Sequence, residues 1–580
     1  MHAPTPNPAT ARAAFAAWRA ALTSWWDDDP HLASLVRHHG FGAAEADLRA
    51  FAALSAGPID RWAIETNRDE HLPQLRRWDG HGNRIEAVVF HPDYHQIGRA
   101  VYRTGIMSRY AEPGREIETL ALTYLLAQDG EAGHCCPLAC TAGMIKILQA
   151  AGGAPAEWLQ RLYDPDYDTH FHASQFLTEV QGGSDVGANA LVAREGADGW
   201  TVHGEKWFCS VIDANLFLVT ARPEGAPSGT AGLRAFVVPR QLPDGPNQFE
   251  IRRLKYKLGT RSMASAEVDF RGAVAVPVGD FRRTVEIVLN TSRLYNAVCA
   301  AGFLQRAWRE ADGYARARVA FGTPILSFPS IQRTVARLKV EAYAARSVSF
   351  LLAARAPATA VTPDPAWRML VNLNKIWTAL TCPAGMRDAI EVLGGNGAIE
   401  DFSVLPRLLR DSLVLEAWEG GHGVLCAQIL RDARKLRLHE PTFALLSDLG
   451  GDVVAARLDT IRAPRHHPRP LGARARRAGR RGPHPRPRGG APPRRPGGRA
   501  RGGGPHAGQR SAPARGRRAP PDHVRARLGP PRGHRAGGPP RRAHRRAAVA
   551  RSGSRAHAGA HRLPLAAPLR CAHSRREGAP

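Results

Sequence analysis

Cysteine is scarce, eight in 580 residues, and no two are spaced as CxxC. Cys135, Cys136, Cys140, Cys209, Cys299, Cys382, Cys426 and Cys571 follow no regular framework, so reduced thiols are expected rather than a disulfide scaffold. His134 precedes a local cluster in which Cys136 and Cys140 share a helical face. Pro137 interrupts that face and two ligands would still need partners, so small buried side chains are expected there and no metal. Long apolar runs are missing as well. No stretch is long enough to span a bilayer, and residues 1–29 lack a basic start followed by an apolar segment, so a cytoplasmic protein is expected. No GxGxxG follows a strand and opens a helix, which leaves a Rossmann dinucleotide site unsupported.

The formal charge of +28 reads as a nucleic-acid binder until it is divided along the chain. Residues 461–580 hold 32 Arg, no Lys and only two acids, Asp522 and Glu577. Residues 1–460 hold 48 basic against 50 acidic residues and are nearly neutral. The last 120 residues also contain no Phe, Tyr or Trp. A segment that poor in apolar surface cannot offset its chain entropy, so residues 441–580 are expected to be a disordered low-complexity tail. Two origins stay open: an arginine-rich arm for nucleic acid, or a GC-rich gene translated in the wrong frame. Arginine without a single lysine favours the second.

Along the remainder, residues 1–172 read as an arm followed by a helical domain. The Ala-rich first 50 residues, with Trp18, Trp25 and Trp26, predict a loosely docked helix or arm, and residues 58–83 predict a surface wrap. VVFHPDYHQIGRAVYRTG, REIETLALTYLLAQDGEAGH and CTAGMIKILQAA predict helices, with His91 and His95 capping or packing. Over residues 173–283 the period changes to two. WTVHGEKWF, ANLFLVTARP, LRAFVVPR, FEIRRLKYKL and SAEVDFRGAVAV predict an antiparallel barrel or sandwich. Residues 284–440 return to helical stripes, Phe303, Leu304, Ala307, Trp308 and Ala311 in one, Ile331, Val335, Leu338 and Ala342 in the next. Two more helices are predicted at 366–393 and about 424–437.

The stretch that organises these segments is residues 176–210, FLTEVQGGSDVGANALVAREGADGWTVHGEKWFCS. Its glycines allow close backbone approach to a ligand, and Thr178, Ser184, Phe208 and Ser210 can line one pocket from two neighbouring strands. TExQGGSD followed by GxKWFxS resembles the acyl-CoA dehydrogenase flavoproteins, whose middle domain carries TExxxGSD and then GxKxWxT/S. The resemblance runs from about residue 85 to 435. LKxKLGxRSxAS, EVLGGxG and FHPxYH bring it nearest the AidB-like branch, associated with the bacterial response to alkylation damage. It implies an α+β multidomain chain: N-terminal helical domain, middle antiparallel β-domain and C-terminal helical bundle.

The resemblance also implies a chemistry, α,β-dehydrogenation of an acyl-CoA thioester, with a carboxylate base and FAD as hydride acceptor at N5. Glu419 in EAWEGGHGVLC matches the family's base; a glutamate in a Gly-rich loop would otherwise be solvated surface. Thr178, Gly183, Ser184, Phe208 and Ser210 match flavin contacts. Arg318 and Phe321 in RVAFG, with Gly394 and Gly395 in EVLGGNG, match positions that hold FAD from a neighbouring subunit, implying a homotetramer. Arg293 matches a substrate-side arginine and reads equally as a helix-surface charge. Some relatives place the base just before this arginine, where this chain has Ser292. Glu391 replaces a common Gln, Gly421 and Gly423 replace side-chain contacts to the cofactor, and SFPS leaves another Gln without a match. An electron-transfer flavoprotein is among the acceptors this allows. A DNA-binding flavoprotein of the damage response with weak dehydrogenation, and a flavin oxidase, are the rival readings.

Overall fold

The computed structural model describes residues 8–152, 154–357 and 364–462; the expectation for the arginine-rich tail beyond them lies outside the described residues. The chain opens with helices α1 (Pro8–Ala20), α2 (Pro30–His38), α3 (Glu45–Leu54) and α4 (Asp60–Thr66). Asp29 caps α2 by accepting from the Leu32 N–H at 3.0 Å, and Pro30 sits at the first turn where no donor is needed. These helices are firmly docked, which corrects the loosely held arm. Trp18, Trp25 and Trp26 are all buried. The Trp25 indole donates to Asp129 at 2.7 Å, and the Arg306 and Arg309 guanidinium groups lie over its ring. Alanine spacing gives no hint of such long-range polar anchors.

A hairpin of β1 (Gln74–Trp78) and β2 (Arg84–Val89) follows, in place of the surface wrap and helix start that the sequence suggests. The turn Asp79–Asn83 explains it: the Asp79 carboxylate accepts from the His81 and Asn83 amides, both at 2.8 Å. Helix α5 (Pro92–Tyr102) is capped by His91, whose ring accepts from the Asp93 N–H at 3.3 Å, so this histidine caps as expected. Helices α6 (Glu116–Ala127) and α7 (Ala132–Ala151) are apolar nearly all round and run through the interior, with α8 (Ala156–Tyr163) at the edge.

The β-domain comprises β3 (Ala173–Phe176), β4 (Val192–Gly196), β5 (Gly199–Ser210), β6 (Leu216–Pro223), β7 (Arg234–Pro239), the short pair β8 (Gln241–Leu242) and β9 (Gly245–Pro246), β10 (Phe249–Leu254) and β11 (Ser265–Pro277). Strand β11 pairs with β5, β5 with β4, β4 with β6, β6 with β7 and β7 again with β11, which closes a ring; β10 and β3 flank it. Most pairs are antiparallel, in keeping with the alternation, but β3–β6 and β4–β6 are parallel. The β5–β11 register shifts between Ala266 and Val268, which face Cys209 and Lys206. The extra residue on β5 is a bulge at Trp207–Phe208, and it turns Phe208 out to half exposure. Aromatic and branched side chains such as Phe176, Phe217, Val219 and Phe236 fill the ring's interior.

Helix α9 (Phe281–Ala317), capped by Asp280, runs to the short pair β12 (Val319–Ala320) and β13 (Thr323–Pro324). It packs against α10 (Pro329–Ala354) and α11 (Pro365–Leu393), the stripes read from the sequence forming their shared core. Helix α12 (Leu405–Ala417), which the sequence reading does not contain, and α13 (His422–Leu436) flank the loop that carries Glu419. Helix α14 (His439–Arg462), bent at Gly451, packs on α11, so the start of the expected tail is helical.

Candidate functional site

The loop from β3 to β4 is held from beneath by a buried ion pair. Lys206 Nζ lies 2.6 Å from Glu179 Oε1, with both side chains at 1% exposure or less. Lys206 also donates to the Thr220 carbonyl at 2.9 Å, while Glu179 accepts from the Ala190 and Leu191 amides at 2.6 and 3.2 Å. The TE and GEK of the two motifs are therefore one structural clasp. Above it, the Trp207 amide donates to the Thr178 carbonyl at 2.9 Å, setting Thr178 beside the bulge. A Cβ on Gly183 would stand 2.9 Å from Thr178 Oγ1, so only glycine lets the loop fold this close. The half-buried Thr178 hydroxyl, the exposed Gly183–Ser184 turn, the outward Phe208 ring and Ser210, whose Oγ is 3.0 Å from Ser265 Oγ, thus share one edge.

That edge fits a flavin: it has an aromatic face, hydroxyls for polar ring atoms and a loop kept open by glycine. Lys255 adds a cation 4.7 Å from the Phe208 ring centroid, balanced by Glu267 at 2.8 Å. A cavity of about 190 Å³, lined by Leu72, Lys255, Lys257, Met263 and Ser265, opens beside it. Sequence reading did not single out Glu179, Lys206 or Ser265, and weighed Lys255 only as part of a short basic stretch; for the first two, the available signal was an acid in one motif and a lysine in the other.

Glu419 lies between α12 and α13, half-buried, with its backbone in the left-handed region at φ 56°. That conformation is unfavourable for a glutamate and persists only where neighbours enforce it. They do. Arg293 Nε donates to the Glu419 carbonyl at 3.1 Å, and Lys375 Nζ donates to the carbonyls of Glu416 and Gly420, both at 3.0 Å. Burial raises the Glu419 carboxyl above the usual carboxylate range, while the charges of Arg293 and Lys375 pull the other way. Among the described residues neither Arg293 nor Lys375 bonds its carboxylate; both donate to main-chain oxygens and act on the carboxylate through charge alone. Arg293 is itself buried at 3% exposure and bonds Asn372 at 2.6 Å, which removes the helix-surface alternative. Burial depresses its guanidinium to about 10.

The two groups are linked indirectly through β3. Ser292, in the position of the alternative base, donates to Gln175 Oε1 at 3.4 Å, and Gln175 Nε2 reaches the Cys140 carbonyl at 3.5 Å. Gln175 is three residues before Thr178, and Cys140 feels the Glu419 charge. The α7 cysteines are buried small side chains, as expected.

A third group stands apart at the far end of α9. Arg318 ends that helix, and Phe321, at φ 52°, is 97% exposed. Gly394 and Gly395 cap α11 and are exposed, with open space where a Cβ would stand; Asn396 joins this end to α9 by donating to Tyr314 at 3.2 Å.

Comparison with known proteins bears on the fold and its domain order. The acyl-CoA dehydrogenase C-terminal domain family matches residues 281–433, its middle domain family matches 174–273, and the adaptive response protein AidB N-terminal domain family matches 19–169. The putative acyl-CoA dehydrogenase AidB of Escherichia coli K12 is 31% identical over 429 residues, covering 70% of this chain and 77% of that protein. Caenorhabditis elegans ACDH-11, solved in complex with C11-CoA, superposes with a TM-score of 0.67 at 26% identity, covering 75% of this chain and 77% of that one. Bd2924 in its apo form gives 0.66 at 25% identity, covering 79% and 93%. Domain order, motif placement and these likenesses coincide from residue 19 to residue 433, and the chain belongs to the acyl-CoA dehydrogenase family of FAD-dependent oxidoreductases, on its AidB-like branch.

Proposed function

We propose that this protein oxidises an acyl-CoA thioester between its α and β carbons, with Glu419 taking the α-proton. The observation that carries this is the state of Glu419: held in a left-handed backbone by two buried cations, without an ion pair on its carboxylate among the described residues, and raised in pKa by burial. A carboxylate so placed is a stronger base than one in water and remains free to accept a proton. Bound FAD supplies the acceptor for the β-hydride. Thr178, Gly183, Ser184, Phe208 and Ser210 would hold its ring and ribityl side, while Arg318, Phe321, Gly394 and Gly395 of a neighbouring subunit would hold its far end. Arg293 borders the substrate side by fixing the Glu419 main chain. The complete site therefore needs an oligomer, and we assign a homotetramer in the cytoplasm that passes electrons to an electron-transfer flavoprotein. Among the described residues no helix is long and apolar enough to cross a membrane. The acyl-CoA class is supported by the nematode relative solved with C11-CoA.

Glu419→Gln is the test. It should keep bound flavin yet lose bleaching by acyl-CoA by at least about 100-fold, in line with removal of a general base. Normal bleaching would overturn the assignment. The match of residues 19–169 to the adaptive response domain favours a second reading, a flavoprotein of alkylation damage with weak dehydrogenation that binds DNA. Salt-dependent DNA retention by a chain ending after Arg462 would support it; retention by the full chain alone reports only the tail's charge.

A further inference from the structure

We infer that Lys375 is a positioning residue for the Glu419 carboxyl, holding the base's loop by the Glu416 and Gly420 carbonyls while lending a buried positive charge that, among the described residues, bonds no carboxylate. This rests on the proposed role of Glu419. Lys375 is fully buried on α11, and it donates to two main-chain oxygens, those of Glu416 and Gly420 at 3.0 Å, on either side of Glu419. A buried ammonium is costly, and two carbonyls satisfy it less completely than a carboxylate would. Helical structure alone gives no reason to place one there, since α11 would pack better with an apolar residue.

The arrangement makes chemical sense for a base. Had Lys375 or Arg293 closed a salt bridge on the Glu419 carboxylate, that oxygen would be occupied and its affinity for a proton low. With Lys375 directed to two backbone carbonyls, and Arg293 to the Glu419 carbonyl and the Asn372 amide oxygen, their charge is felt at a distance. It tempers the upward push of burial without taking the carboxylate out of use. Burial in turn lowers the Lys375 amine to about 8. The other groups facing this centre are Arg293 on α9, Cys140 on α7, Glu416 on α12 with His422 of α13 at 3.5 Å, and the cluster of Arg368, Asp432 and Arg431 behind Arg293. None of these bonds the main chain on both sides of Glu419 as Lys375 does.

The test reads the coupling from both ends and needs no turnover, so it stands whether or not the substrate assignment does. The chain has only seven lysines, which makes ¹³Cε-lysine NMR of the full-length protein assignable by single substitutions. Glu419→Gln should lower the Lys375 midpoint by about one pH unit, because an opposing charge has gone. Conversely, infrared difference titration against Glu419→Gln should find the Glu419 carboxyl midpoint raised by about one unit in Lys375→Met and largely restored in Lys375→Arg. Should Lys375→Met fail to fold, the NMR titration of Glu419→Gln decides alone. A Lys375 midpoint unmoved by Glu419→Gln would overturn the inference and leave Lys375 a packing residue. Coupled titration with an acyl-CoA that bleaches nothing would instead refute the proposed reaction and retain the pair.

Discussion

Lys206→Met tests how the loop from β3 to β4 is held. The substitution keeps most of the side-chain volume and removes the charge that faces Glu179 across 2.6 Å. Breaking one partner of a buried pair typically costs about 3–5 kcal/mol, because the other charge stays buried and unmatched. Glu179 would keep the Ala190 and Leu191 amides, which stabilise an anion, so the lower end, about 3 kcal/mol, is expected. The Thr220 carbonyl would lose its donor as well. Removing both charges, in Glu179→Gln with Lys206→Met, should cost clearly less than the two single losses together, since no charge is then stranded. The assay is the urea midpoint of the four proteins, together with the rate of limited proteolysis within residues 177–191. Looser flavin retention should accompany Lys206→Met because Thr178, Gly183 and Ser184 ride on that loop. A single-variant loss under about 1 kcal/mol, or strict additivity in the double variant, would refute the clasp.

Other consequences are as direct. Burial pushes the Glu131 carboxyl, bonded to Ser262 and Asn67, up to about 7. A raised folded-state value means full stability below about pH 4.5 and a loss as pH climbs through 7, worth about 3 kcal/mol in all. Glu131→Gln should flatten that window and exceed the native protein's urea midpoint at about pH 8; an unchanged pH profile would count against it. Trp25→Phe deletes the 2.7 Å bond to buried Asp129 and should cost about 1–3 kcal/mol, read as a lower melting temperature. An unaltered melting point would return the N-terminal helices to the status of a loose arm. Leu373, Trp377 and Leu380 form an exposed apolar stripe along α11. Trp377→Glu should shift gel filtration of the full chain to a smaller species with unchanged circular dichroism, and an unchanged elution volume would remove that stripe from the assembly.

Much of what depends on local pattern was legible in the sequence, although the β1–β2 hairpin and α12 were not. The switch from a helical period to a period of two and back located the β-domain between two helical parts, because amphipathic spacing is imposed by which face meets the core. The motifs at 178–185 and 204–210 pointed to two segments that share one edge in the fold, and WEG pointed to Glu419. The long-range polar contacts, by contrast, exist only in the folded chain. Trp25 meets Asp129 across 104 residues, so an alanine-rich arm became part of the interior. Lys206 and Glu179 became one clasp because β5 and the β3 loop are neighbours in space. The bulge that turns Phe208 outward exists only in the register of β5 against β11. Arg293 read equally as surface or site until packing buried it against Asn372 and the Glu419 carbonyl. The left-handed turn at Glu419 is likewise invisible in sequence, since a glutamate adopts it only where buried donors such as Arg293 and Lys375 compel the main chain.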